Sequence, residues 1–176
     1  HVAISWDTTT YRYLVNGSVV ASAANSTAMT SSGTAKLGVG ATATGAVACT
    51  NEFYVRDLRF TNGDAVYTGS YTVPSEPLEV DSNTDLLVCN KPYLKDVSGN
   101  DCSITVTTAV EQRLFSPYDQ NASYSKSSHS GSVYFDGTGD YITAPYSNDL
   151  VQWWTDDFTL EMWIYPNALN QTSNAQ

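Results

Sequence analysis

Few residues in this 176-residue chain have the types and spacing that chemistry needs. Glu79-Val-Asp81 carries two carboxylates two positions apart, which on a strand puts both on one face. Paired carboxylates supply the acid and the base or nucleophile of glycoside hydrolysis. This pair lies in a Pro-, Ser- and Asn-rich stretch with no third acid on the strand, and solvated linker charge accounts for it. Glu161 alternates with Thr159 and Trp163, has no acidic strand neighbour and reads as an outer-face residue. The two histidines are His1, at a strand start, and His129, in a serine-rich loop where an imidazole is ordinarily solvated. The chain has no Ser-His-Asp order, no His-Glu-x-x-His and no glycine-rich phosphate loop opening a helix. No catalytic residue is predicted, and the chain reads as a non-enzyme.

Trp153-Trp154 is the most unusual dipeptide. Aromatic faces suit sugar rings, which makes these two the candidate ligand-binding residues, although one is expected in the core and one at the rim. Cys49, Cys89 and Cys102 fit no zinc or redox spacing. Cys89 and Cys102 flank a turn-rich loop and could bridge in an oxidising compartment; small buried hydrophobes are the favoured reading, and the redox state stays open. Sequons at Asn16, Asn25, Asn121 and Asn170 carry little weight in a chain so rich in Asn, Ser and Thr, and Asn16 is expected to serve as a turn residue.

Eight Lys and Arg against eighteen Asp and Glu give a net charge of −10. That sign repels phosphate backbones and anionic lipid heads, so nucleic acid is not an expected partner. No apolar run approaches the roughly 20 residues of a membrane helix, and membrane insertion is not expected. Because His1 already lies inside a strand, residues are expected before it. The 41% hydrophobic share suffices for a core, and twelve tyrosines among β-branched and turn-forming residues suit strands.

Those strands can be placed. Val2, Ile4 and Trp6 alternate, as do Tyr11, Tyr13 and Val15, and Asn16-Gly17 is the dipeptide a type I′ hairpin wants before Ser18 to Ser22. Further strands are expected at 35–39, 52–60, 85–89, 102–106, 132–136 and 140–143. The 132–136 and 140–143 pair is expected to form a hairpin across Gly137-Thr-Gly139. In 52–60, Phe53, Val55, Asp57 and Arg59 are expected to alternate against Tyr54, Arg56, Leu58 and Phe60. Phe158, Leu160, Met162 and Ile164 alternate with Thr159, Glu161, Trp163 and Tyr165 in the clearest strand. Residues 148–154 suggest one short helical turn, and no segment sustains a 3.6-residue apolar period. The fold class is therefore all-β.

Several strings resemble the laminin-G-like, concanavalin-A-like jelly-roll family. Ser130-Gly-Ser-Val-Tyr-Phe-Asp-Gly-Thr-Gly-Asp-Tyr-Ile-Thr143 resembles its opening hairpin, and Asp157-Phe-Thr-Leu-Glu-Met-Trp-Ile-Tyr-Pro166 the strand that follows. His1-Val-Ala-Ile-Ser-Trp6 with Tyr13-Leu-Val-Asn-Gly17 is similar to a later pair, and Tyr54-Val-Arg-Asp-Leu-Arg-Phe60 to the closing strand. The resemblance implies an antiparallel β-sandwich. Closing elements precede opening ones, which implies tandem copies cut out of register: 1–78 ends one sandwich, 79–84 links, and 85–176 begins the next. The rival arrangement closes both portions into one permuted sandwich. It is attractive because half a sandwich leaves an apolar face wet, at roughly 25 cal/mol per Å².

The same resemblance implies a function class. Leu86-Leu-Val-Cys-Asn90 through Phe115-Ser-Pro117 looks like a region of tandem arrays in bacteriophage appendage proteins. The expectation is a structural and adhesive module on the virion surface, such as a tail fibre, neck or capsid decoration. Its expected partners are other virion proteins, copies of itself as a homo-oligomer, and host-surface glycan. A secreted cell-surface or matrix binding domain is the alternative, and a glycoside hydrolase of the same fold the third. Asp96 is the one metal candidate, because the equivalent loop binds calcium in some relatives. Those relatives add a pair of acids near the closing strand where this chain has Arg56-Asp57, and an Asp capping its own turn is the favoured account. No cofactor is otherwise expected.

Overall fold

The computed structural model describes residues 1–27, 37–40, 51–91, 93–107, 110–113, 116–118, 131–144 and 156–167. Among these there is no helix. The strands are β1 (Val2–Trp6), β2 (Thr10–Val15), β3 (Ser18–Ala24), β4 (Leu37–Val39), β5 (Phe53–Asn62), β6 (Thr84–Val88), β7 (Thr105–Thr107), β8 (Glu111–Arg113), β9 (Ser132–Phe135), β10 (Tyr141–Ala144) and β11 (Phe158–Pro166).

The strands form two antiparallel sheets. The larger runs β3-β2-β1-β11-β5-β9-β8, with β6 also on β5; the smaller runs β4-β10-β7. The Asn16-Gly17 turn forms as expected, with φ of 48° and 81° and Val15 facing Ser18. β5 is long enough to serve three partners: β11 lies along one edge, and β9 and β6 share the other.

A β-bulge sets the faces of β5. Trp163 of β11 faces Arg56 and Glu161 faces Arg59, so Asp57 and Leu58 together oppose the single residue Met162. Asp57 takes up the extra residue with a φ of 50°. The parity switch corrects the unbroken alternation expected from the sequence. Phe53, Val55, Leu58 and Phe60 all enter the core, leaving Tyr54, Arg56, Arg59 and Thr61 on the side of Thr159, Glu161 and Trp163. The small sheet covers that core through Val39, Ile142 and Ala144. Phe53 and Phe135 stack across β5 and β9 at 4.5 Å with planes 6° apart.

One further expectation needs correction. The residues 132–136 and 140–143 do not pair with each other: β9 belongs to the large sheet and β10 to the small one. Gly137 and Gly139, with φ of 81° and 82°, turn the chain between sheets, and the buried Asp140 accepts the Asp136 N–H at 2.8 Å. Both Phe135 and Ile142 thereby reach one core, which a flat hairpin could not arrange. β11, from beyond the 79–84 stretch, lies between β1 and β5. In that position the apolar faces of Phe158 and Leu160 meet those of Trp6 and Phe60 instead of water.

Residues 1–78 and 79–176, expressed separately, are expected to be unfolded by amide dispersion in NMR, and to regain dispersion on mixing. Independent folding of either fragment would show that the shared sheet is not needed.

Candidate functional site

The outer face of β1, β11 and β5 is crossed by the chain between Gly63 and Asn83, which is held down as a strap. Val66 donates its N–H to Thr159 Oγ1 at 2.9 Å, Tyr71 to the Gly17 carbonyl at 2.9 Å, and Leu78 to Asp57 Oδ2 at 3.1 Å. Gly17 is required there twice over. Its φ is positive, and an added Cβ would lie 2.3 Å from the Tyr71 carbonyl oxygen.

Under the strap lies the densest collection of ionisable groups among the described residues. Glu161 has 0% exposure. Tyr67 donates its hydroxyl to Glu161 Oε2 at 2.6 Å, and Arg59 donates Nε–H to Oε1 at 2.6 Å while its Nη2 also contacts Oε1. His1 Nε2 stands 3.2 Å from Oε2, at ion-pair distance though outside hydrogen-bond geometry, and its Nδ1 meets the Tyr71 hydroxyl at 2.5 Å. Tyr67 and Tyr71 stack at 3.7 Å. Burial pushes the Glu161 carboxyl up, but His1, Arg59 and Tyr67 more than offset it and hold it below its ordinary value. Burial and the nearby carboxylate raise the Tyr67 hydroxyl, and burial first and then Glu161 raise that of Tyr71 to about 12.

Glu161 therefore stands on the expected outer face yet is not solvated. Acid, imidazole and guanidinium in one place are the parts of a reaction centre, but here the carboxylate is fully buried and Tyr67 and Arg59 both donate to it. The arrangement holds the strap to the sheet.

One step along the same face, Arg56 and Asp57 are also buried. Arg56 donates to the Gly131 carbonyl at 2.8 Å and lies over the Tyr118 ring at 5.2 Å. Tyr118 donates its hydroxyl to Asp57 Oδ2 at 2.5 Å. Burial raises the Asp57 carboxyl above its ordinary value, with Arg56, Tyr118 and the Leu78 amide offsetting only part. Neighbouring carboxylates under one strap are thus shifted in opposite directions.

The other sequence candidates fall as follows. Asp96 is 2% exposed. Its oxygens accept from the N–H groups of Leu87, Ser98 and Cys102 and from the Ser98 hydroxyl, at 2.7 to 3.0 Å. Burial raises its carboxyl and the three backbone amides lower it further, for a net downward shift. A calcium ion wants converging oxygens, and Asp96 is surrounded by donors, so its residues do not fit one. Asp81 caps its own turn, accepting from Asn83 N–H and Thr84 Oγ1 at 2.9 Å each, while Glu79 is exposed and lends its carbonyl to Arg59. Cys89 and Cys102 are separate thiols, and burial raises that of Cys89. Trp153, Trp154, His129, Cys49, Asn121, Asn170 and the expected helical turn lie outside the described residues.

Farther along the same face, Tyr54, Tyr134 and Tyr165 stand in register on three adjacent strands. Sequence reasoning passed over them because each is an ordinary alternate position in its own strand. It passed over Arg59, Tyr67 and Tyr118 because their contacts with Glu161 and Asp57 span 61 to 102 residues, and Tyr71 because its contact with His1 spans 70. Comparison of the chain with known family models, characterised proteins and solved structures yields no match.

Replacing Glu161 by Gln is expected to cost on the order of 3–5 kcal/mol in urea unfolding at neutral pH, because Arg59, Tyr67 and His1 lose the buried carboxylate on which they converge. Glu161 has a lowered folded-state pKa, so its contribution is present above the ordinary value of 4.5 and lost as pH falls through the folded value. The Gln variant is expected to lose less stability than the parent on acidification below pH 4.5. Equal acid sensitivity in both proteins would refute the assignment.

Proposed function

We propose that this chain is a non-catalytic structural and adhesive module that binds through an open face of its large sheet. One observation carries this: the cluster with the composition of a reaction centre has its central carboxylate at 0% exposure. A group that must meet substrate is reachable, whereas one that must hold a fold is sealed. The all-β frame of two antiparallel sheets suits presentation of a surface.

The setting we propose is a virion appendage, a tail fibre, neck or capsid decoration built of concanavalin-A-like jelly rolls. There the module would contact other virion proteins, further copies of itself and host-surface glycan. The support is the resemblance of the Ser130–Thr143 and Asp157–Pro166 strings to that family. A secreted matrix domain stabilised by calcium and a Cys89–Cys102 bridge draws no support from the donor-filled surroundings of Asp96 or from the separate thiols. A hydrolase draws none from the sealed Glu161.

Mass spectrometry of particles purified from the source is expected to find this chain, and the purified chain is expected to release no reducing ends from polysaccharide. Absence from the particles would overturn the setting. Reducing-end release that a folded Glu161→Gln variant loses would overturn the non-catalytic assignment.

A further inference from the structure

One side of the large sheet ends at β3, and among the described residues no strand pairs with its outer edge. All seven residues of Ser18-Val-Val-Ala-Ser-Ala-Ala24 are exposed, Val20 to 55%. The edge continues into an open groove of about 230 Å³ on the core-side face of the sheet, lined by Ile4, Tyr11, Tyr13, Ala21 and Ala23. Ile4 opposes Tyr13, Tyr13 opposes Ala21, and Tyr11 opposes Ala23, so the five share that face. Ile4 and Tyr13, at 38% and 43% exposure, lie outside the core cluster that the small sheet covers.

An edge strand offers a row of unpaired N–H and C=O groups, and natural sheets guard such edges with lysine, proline, inward charge or a bulge. β3 has a bulge at Val20, which stands without an opposite residue between the Tyr13–Ala21 and Leu14–Val19 pairs. The other guards are missing. Between Arg12 and Lys36 the sequence carries no charged residue and no proline, and Arg12 is itself paired to Asp7 at 2.7 Å. This quiet stretch decides what can dock. A net charge of −10 makes copies of the chain repel one another over most of their surface, but at β3 two copies meet without opposing like charges. A basic partner drawn in by the acidic field would find no carboxylate on β3 to receive it, and an acidic partner is repelled by the rest of the chain. What fits is an uncharged strand of small and β-branched residues, and β3 is one.

From this edge we infer a docking surface for a second copy of the chain, the two β3 strands pairing antiparallel about a two-fold axis so that the large sheets become continuous. The exposed valines and the Ile4–Tyr13 groove flank the seam and lose water as it closes. With the pairing centred on Ala21, the midpoint of the strand, Val20 of one copy is a diagonal neighbour of Val20 of the other. One strand pair is small beside the roughly 1,200 Å² at which stable interfaces begin, so the expected affinity is micromolar, strengthened by repetition where many copies are tethered. This deepens the structural module proposed above and rests on it, naming the surface through which its copies meet.

The test is sedimentation equilibrium of the whole chain across the micromolar range, with Val20→Lys and Val20→Asp variants run singly and mixed in equal parts. Urea melts accompany it, and because Val20 is exposed they are expected to stay close to the parent's. The parent is expected to dimerise reversibly. Each variant is expected to dimerise about tenfold more weakly or worse, since the two-fold axis brings like charges together. The mixture is expected to recover a dimer of one Lys and one Asp copy. A parent that stays monomeric at every concentration would leave the edge to a strand of some other chain; that overturns this inference and leaves the function above standing. A dimer that neither charge weakens, or weakened variants whose mixture does not recover, would put the contact elsewhere and overturn it too. A dimer weakened by both charges, in a chain absent from the particles, would uphold the edge and overturn the setting beneath it.

Discussion

A carboxylate taken out of water costs several kcal/mol unless cations and donors replace its hydration, and Glu161 is taken out of water completely. That requirement organises the outer half of the molecule. Arg59 must stand opposite it on β5, which the pairing of β11 with β5 arranges. Tyr67 must reach it from the strap, which brings the strap down over the sheet. The strap in turn needs a backbone with no Cβ at Gly17, where Tyr71 closes against the hairpin. A strand ladder alone would leave this face indifferent to what lies on it. The buried charge gives the strap one position, because any other leaves Glu161 with too few partners.

The bulge at Asp57 makes the charged layer compatible with the apolar one. Without it, period two would carry Leu58 and Phe60 to the polar side and Arg59 into the core. One inserted residue with positive φ lets β5 keep apolar side chains inward on both sides of the kink. Asp57, which absorbs the insertion, then accepts the strap amide of Leu78 and the hydroxyl of Tyr118. The defect in the ladder and the attachment of its cover are the same residue.

This explains how far the sequence could be read. The strands of the meander, of β5 and of β11 were legible because period-two burial is local, as was the Asn16-Gly17 turn, whose backbone demands are met by those two residues alone. The parity switch was not, because nothing in Val55-Arg-Asp-Leu58 marks Asp57 as the residue that leaves the ladder. The pairing of β9 and β10 with different sheets was not either. A glycine-flanked three-residue turn suits a hairpin and a corner alike, and the choice lies with Phe135 and Ile142 packing in one core. The burial of Glu161 on its outer face was not legible, because its partners are far off in sequence and a lone acid between Thr and Trp carries no local sign of burial. Asp96 was legible as a turn cap, since its donors are mostly its own loop.

The opposed shifts of Glu161 and Asp57 bear on what the strap is for. Glu161 has a lowered pKa, so it favours the folded state above its ordinary range and ceases to do so in acid. Asp57 has a raised pKa, so protonation favours the folded state and its ionisation, as pH rises through the folded value, works against it. The two contributions have opposite slopes. A switch would align such slopes so that one change of pH released the cover. Here acidification weakens the hold at Tyr67 while it relieves the cost of burying the Asp57 charge. One change of pH therefore does not act on both anchors of the strap in the same direction.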